Sequence, residues 1–273
     1  MNNYSIPDII DEVKSGIIQI VHEKNGVQLS SGTGFMANGY LVTNYHVIYN
    51  SSSDSEIIFR KCSNNSVKEL MRVENSKDIE LYYTEVGIGI EKENNDYLVL
   101  KLPKLANQNL YNFQLDSHKN KRIGEQILFL GYHFGQDRIT AHNGFISSFY
   151  QSNNVDVIQI DGSINNGASG SPLIDPITKK VIGIVTRKED GFTKIFKQIE
   201  KIISQNNELS SSMPSNTLQI LGSKSLVDIP MQVKEINSSL LELMKQIKRS
   251  ANVGIGYAFS VEQLMKENCF IID

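Results

Sequence analysis

The chain has 273 residues, a formal net charge of −3 and 40% hydrophobic content, which is the composition of a globular protein rather than a disordered or fibrous one. Charge this near to balance makes no field that would gather nucleic acid, and no stretch reaches the roughly 18 apolar residues a membrane span needs. Cys62 and Cys269 are the only cysteines; they are too few for a disulfide framework and read as thiols of a reducing compartment. The first residues carry neither a basic start nor an apolar stretch, which points to the cytoplasm. No Cys/His cluster has metal-ligand spacing and no glycine-rich phosphate loop is present, so neither a metal nor a cofactor is expected.

In chain order, Ser5-Ile6-Pro7-Asp8 followed by Ile9, Ile10 and Val13 reads as a short capped helix with proline in its first turn. Short strands follow at 17–21, 34–37, 40–43, 57–60, 81–83 and 97–102, separated by polar Asn/Ser-rich stretches. Asn38-Gly39 lies between two apolar runs and reads as a tight hairpin turn. A second series of strands is expected at 126–131, 139–149, 157–160, 173–174 and 181–186. Two serial sets of short strands suggest two closed or sandwiched β units joined by a crossing at 115–123. From Gly191 to Asn252 the pattern changes to helical spacing. Phe192, Ile195, Phe196, Ile199, Ile202 and Ile203 form one apolar series, and Val233, Ile236, Leu240, Leu243, Met244 and Ile247 form another, with a polar connection at 210–216.

Three segments carry chemistry. Ser169 stands in the loop Asn165-Asn166-Gly167-Ala168-Ser169-Gly170-Ser171-Pro172 after an apolar strand. A nucleophilic serine needs that setting: a hydroxyl clear of the backbone, with N–H groups free to face an oxyanion. His46 sits just past the second strand of the Asn38-Gly39 hairpin, and Asp96 opens the strand Tyr97-Leu98-Val99-Leu100. The chain order is His, Asp, Ser, the order of the chymotrypsin-type triad and not that of subtilisins or α/β-hydrolases. His22, His118, His133 and His142 have no partner motif and read as packing residues.

These motifs resemble those of trypsin-like peptidases. The residues carrying the likeness are Thr43-Asn44-Tyr45-His46-Val47, Asp96 to Lys101 and Asp161 to Leu173. The likeness to the HtrA/Deg branch extends to Gly124–Gly135, Gly144–Ser148, Val181–Thr186 and Gly254–Phe259. Departures are Ala168, where the family often has Asn or Asp, and Ser171, where it usually has Gly. The resemblance implies an all-β protein of two six-stranded antiparallel barrels, chymotrypsin-like, with a short N-terminal helix and a helical insertion in the second barrel. The implied boundaries are 1–118 for the helix and first barrel, 119–190 plus 252–273 for the second, and 191–251 for the insertion, with no PDZ domain following.

The same resemblance implies serine endopeptidase activity on protein or peptide substrates. His46, Asp96 and Ser169 are the expected catalytic residues, and the backbone N–H groups of Gly167 and Ser169 the expected oxyanion hole. Ser163 would lie at the base of the specificity pocket, where a serine favours an uncharged residue before the cut. Thr186 and Arg187 would line the strand that pairs with substrate backbone. The insertion falls between strands that wall this pocket, where it would shape substrate access or receive a regulatory protein partner. The alternative is a latent or inactive protease-fold binding module controlled by a partner.

Overall fold

A computed structural model describes residues 5–49, 55–63, 66–87, 96–152, 154–188, 193–212, 217–219, 226–250 and 254–271. Helix α1 (Ile6–Val13) begins as its sequence directs: the Ser5 side chain accepts from the Asp8 N–H, and Ile9 and Val13 turn inward. The N-terminal half then lays down β1 (Ile17–Lys24), β2 (Val27–Ala37), β3 (Tyr40–Thr43), β4 (Glu56–Ser63), β5 (Ser66–Val73), β6 (Tyr83–Gly87) and β7 (Tyr97–Leu100). Asn38 and Gly39 both take positive φ, +48° and +80°, and close the β2–β3 hairpin. The seven strands form one antiparallel sheet in the order β5-β4-β1-β2-β3-β7-β6.

The C-terminal half holds β8 (Gln126–Gly131), β9 (Thr140–Ser152), β10 (Val155–Asp161), β11 (Pro172–Ile174), β12 (Val181–Lys188) and, after a long excursion, a further strand at Ile255–Ser260. These six close into a barrel. The expected pair of six-stranded barrels is therefore met by one closed barrel. The other half has seven strands, and among the described pairings its order runs between two ends, β5 and β6.

The extra strand is β5. Its apolar residues do not alternate, because a bulge opposite Phe59/Arg60 turns both Leu70 and Met71 inward. Residues 81–83, expected as a strand, mostly extend a 3₁₀ run at Ser76–Tyr82 that starts where the Asn75 side chain accepts from the Lys77 N–H. That local bond competes with ladder pairing.

One apolar core crosses both halves. Phe35 and Val42 from the sheet pack with Leu128, Leu130, Ile174 and Ile184 from the barrel, and α1 covers the same cluster with Ile9 and Val13. Cys269 is a thiol packed against this cluster; the side chain of Cys62 lies outside the described residues.

The chain falls into two compact units, residues 1–189 with 254–273, and residues 190–253. The second unit has helices at Thr193–Ser212 and Ile229–Ser250, with an antiparallel pair of strands, Thr217–Gln219 (β13) and Leu226–Asp228 (β14), between them in the chain; the strand at Ile255–Ser260 is thus β15. Ile199, Ile203, Leu241 and Met244 pack between the two helices. The buried Asn237 donates to Asn207 Oδ1 at 2.8 Å. The polar connection expected from Ser210 starts only after Ser212, and residues 213–216 lie outside those described.

Candidate active site

His46 stands on a short helical turn, α2 (Tyr45–Tyr49), directly after β3. The turn is fixed from below: Gly32 on β2 leaves room for Val47, and the buried His22 Nε2 bonds the Val47 carbonyl at 2.8 Å. Asp96 is 3% exposed and its carboxylate is well satisfied. Oδ1 accepts the His46 backbone N–H at 3.0 Å, Oδ2 accepts from His46 Nδ1 at 2.5 Å, and the Thr186 hydroxyl donates to Oδ2 at 3.4 Å. Asn44 adds a bond from Nδ2 to the Asp96 carbonyl at 2.6 Å. A carboxylate only accepts, so Nδ1 of a neutral His46 carries the proton and Nε2 keeps its lone pair. That is the form of a general base.

Ser169 lies in the loop between β10 and β11. Its carbonyl accepts the Thr33 N–H at 2.9 Å, and its hydroxyl donates to the Thr186 carbonyl at 3.0 Å. Thr186 therefore touches both Asp96 and Ser169. It owes that double role to a bulge: Val185 pairs with Ala258 and Arg187 with Tyr257, leaving Thr186 unpaired in the ladder. Such an extra residue re-aims its groups out of the strand pattern.

The loop aims two amides. The Asn166 carbonyl accepts the Phe134 N–H at 2.6 Å, and the Ala168 carbonyl accepts the Ser171 N–H at 3.0 Å. A trans peptide points its N–H opposite to its C=O, so Gly167 N–H and Ser169 N–H turn away from those anchors. Neither has an acceptor among the described residues. Glycine is obligatory at both flanks. Gly167 has φ +93°, and a Cβ there would meet the Tyr132 carbonyl at 2.1 Å. Gly170 has φ +86°, and its Cβ would meet the Thr33 carbonyl at 1.9 Å.

Thr33 ties the loop to the sheet. Its hydroxyl donates to the Gly167 carbonyl at 2.7 Å and accepts the Tyr132 N–H at 2.9 Å, fully buried. Neither Thr33 nor the Phe134 anchor follows from the sequence reading, because each joins segments far apart in the chain: Thr33 ties the sheet to the serine loop, and Phe134 ties the β8–β9 turn to that loop within the barrel half. The signal available was Ser31-Gly32-Thr33-Gly34, a run of small residues of the kind used where backbones approach closely.

Of the expected substrate-binding residues, Ser163 is exposed on the segment leading into the loop, beside the buried Ile164. Thr186 is buried, and its hydroxyl and carbonyl face Asp96 and Ser169. The backbone of Arg187 belongs to β12, but its side chain lies outside the described residues. Among the described residues no group of three or more His, Cys, Asp or Glu is arranged to hold a metal ion. No helix there is long and apolar enough to cross a membrane.

A sheet-plus-barrel fold with a histidine–carboxylate pair and a glycine-flanked serine at the junction defines a trypsin-like class. A family model described as the trypsin-like peptidase domain matches residues 30–184, and the chain belongs to that family, within its HtrA branch. "Protease Do-like 8, chloroplastic" of Arabidopsis thaliana is 30% identical over 64% of this chain and 39% of its own length. "Serine protease Do-like HtrA" of Lactococcus lactis is 32% identical over 63% of this chain and 41% of its own. "Probable periplasmic serine endoprotease DegP-like" of Rickettsia prowazekii is 26% identical over 73% and 34%. The chain thus spans between a third and about two fifths of the length of these relatives.

Among solved structures, "HtrA-type protease AlgW with decapeptide" aligns over 96% of this chain and 66% of that one, with TM-score 0.54 and 19% identity. The serine endoprotease from Yersinia pestis aligns over 69% and 60%, with TM-score 0.50 and 22% identity. Likeness at that identity speaks to the fold. The names of two of these relatives place them in the periplasm and the chloroplast, so the cytoplasmic location expected from the first residues and the cysteine count draws no support from them.

Proposed function

We propose that the protein is a serine endopeptidase acting on protein or peptide substrates. The observation carrying this reading is the pair of amides in the Ser169 loop, Gly167 N–H and Ser169 N–H, which have no acceptor among the described residues. In the proposed reaction Ser169 Oγ attacks a peptide carbonyl while His46 Nε2 takes its proton and passes it to the leaving amine. Water then hydrolyses the acyl-enzyme by the same relay. Asp96 holds the His46 tautomer and stabilises the imidazolium. Each oxyanion donor is worth on the order of 3 kcal/mol of barrier.

We assign Ser163 and Arg187 to substrate contact, with an uncharged side chain preferred before the cut, and residues 191–251 to regulation. Exposed apolar side chains on the helix Ile229–Ser250, namely Ile236, Leu240 and Leu243, support the latter role. Ser169→Ala is expected to abolish cleavage of an unfolded protein or peptide library while leaving the fold intact, and equal turnover in the variant would refute the assignment.

One observation favours a second reading, a latent peptidase: the Ser169 hydroxyl donates to Thr186 and not to His46. A fluorophosphonate probe separates the two. Labelling of the protein alone indicates a competent site; labelling only after a partner is added indicates a switch.

A further inference from the structure

Two histidines that the sequence leaves unassigned meet behind the oxyanion loop. His133 lies in the turn His133–Gly135 between β8 and β9, and His142 lies on β9 opposite Phe129. Their rings stack at 4.6 Å and 15°, and His142 stacks in turn on Phe129 at 4.8 Å and 8°. His142 Nε2 and His133 Nδ1 are 3.1 Å apart. The next residue along, Phe134, supplies the N–H that anchors the Asn166 carbonyl, while His133 Cα and the Tyr132 carbonyl border the space at Gly167. Phe134 holds φ +56° with its own side chain 58% exposed. The ring of Phe134 does not buttress the strained turn; the buried ring of His133 does.

We propose that the His133–His142 pair is a positioning device for the oxyanion-binding peptide, in force only while both imidazoles are neutral. It rests on the reading of Gly167 N–H as an oxyanion donor. A neutral imidazole offers one N–H and one lone pair, so one ring donates and the other accepts. A first proton puts a charge into the aromatic stack, and a second leaves two N–H groups facing each other across 3.1 Å.

No acid among the described residues pairs with either ring. Strand β8 contributes Phe129, β2 brings Gln28 and Ser31 to Gly135, and the serine loop brings Asn166. His133 Nε2 is buried with no partner. Of the charged side chains beyond the turn, Arg138 is exposed, and Asp137 and Glu23 both pair with Arg60. Burial, reinforced by His142, lowers His133 to about 4, and burial lowers His142 as well. The pair is therefore neutral through the neutral range and uncouples in acid, moving the Phe134 anchor and with it the Gly167 amide.

The test follows the Gly167 amide by ¹⁵N NMR in the Ser169→Ala chain from pH 7.5 to 3.5, beside the histidine ring signals. Gly167 is expected to move together with His133 and His142, in a two-proton transition below the ordinary imidazole range. In His142→Gln, whose side-chain amide still donates to His133 Nδ1 but does not titrate, that transition falls to one proton. A Gly167 amide that stays fixed while the rings titrate overturns the proposal. So does a movement unchanged in His142→Gln, which belongs to another group, or a loss of all amides together with no earlier shift at Gly167. Because Ser169 is absent, none of these outcomes depends on whether the protein cleaves peptides.

Discussion

Replacing Thr33 by valine removes one oxygen and keeps the shape of the side chain, yet that oxygen makes two buried bonds. Without it the Gly167 carbonyl and the Tyr132 N–H are stranded out of reach of water. Each orphaned group costs about 1–3 kcal/mol, and the new methyl would press on a carbonyl oxygen now 2.7 Å away. A loss of about 3–4 kcal/mol is expected, a large share of the 5–15 kcal/mol typical of a whole domain.

Thr33→Ser is the control. It keeps both bonds and gives up a methyl worth about 1 kcal/mol. Urea denaturation of the two variants against wild type measures the difference through the midpoint at constant slope. On the proposed function, kcat for a peptide substrate is also expected to fall tenfold or more in Thr33→Val with little change in KM, because the Gly167 peptide loses its rear support. A Thr33→Val chain within 0.5 kcal/mol of wild type, or a serine variant as damaged as the valine one, would refute the reasoning.

Acid should destabilise the fold before most carboxylates protonate. His22, His133 and His142 all have folded-state pKa values below the ordinary 6.5, so the folded state binds fewer protons than the unfolded one. Their contribution is complete above pH 6.5 and is lost as pH falls below it, for His133 through about 4, where that residue alone is worth about 3 kcal/mol; denaturation midpoints measured at half-unit steps check this, and a flat profile between 6.5 and 4 contradicts it. Gly170→Ala, which drives a Cβ into the Thr33 carbonyl at positive φ, should prevent stable folding. Gly26→Ala, at φ +76° with open space around it, should cost only about 1 kcal/mol by thermal melting. Lys121→Met should be destabilising, by about 3 kcal/mol, because it takes the counter-ion from the buried Asp175 carboxylate and leaves it only the Ile177 N–H and the Thr178 hydroxyl. Burial alone would raise the Asp175 carboxyl, but the Lys121 ammonium, the Ile177 N–H and the Thr178 hydroxyl together hold it low.

What could be read in advance was local. Asn38-Gly39 announces its own turn, Ser5 its own cap, and Asp96 and His46 stand at strand ends where a few neighbouring residues fix their placement. Even the serine loop advertises itself through glycines that only unusual backbone angles explain. What stayed hidden depends on pairing between distant segments. Thr33 looks like one more polar residue in a strand until β2 meets the loop 134 residues away. Thr186 reads as a residue of the substrate-pairing strand, and its bonds to Asp96 and Ser169 emerge only where the ladder slips at Val185/Arg187. The stack of His142 on His133 is set by the β8–β9 register, which no count of histidines supplies. The seventh strand escaped because a bulge places two buried neighbours, Leu70 and Met71, where alternation forbids them.

Lys188 and Gly256 are ladder partners in β12 and β15, although 67 residues lie between them in the chain. Antiparallel partners sit only about 5 Å apart, a gap that a two-residue reverse turn closes. The excursion thus departs and returns through a doorway no wider than one rung. A chain resealed at that seam by a two-residue turn is expected to keep the pairing of β12 with β15.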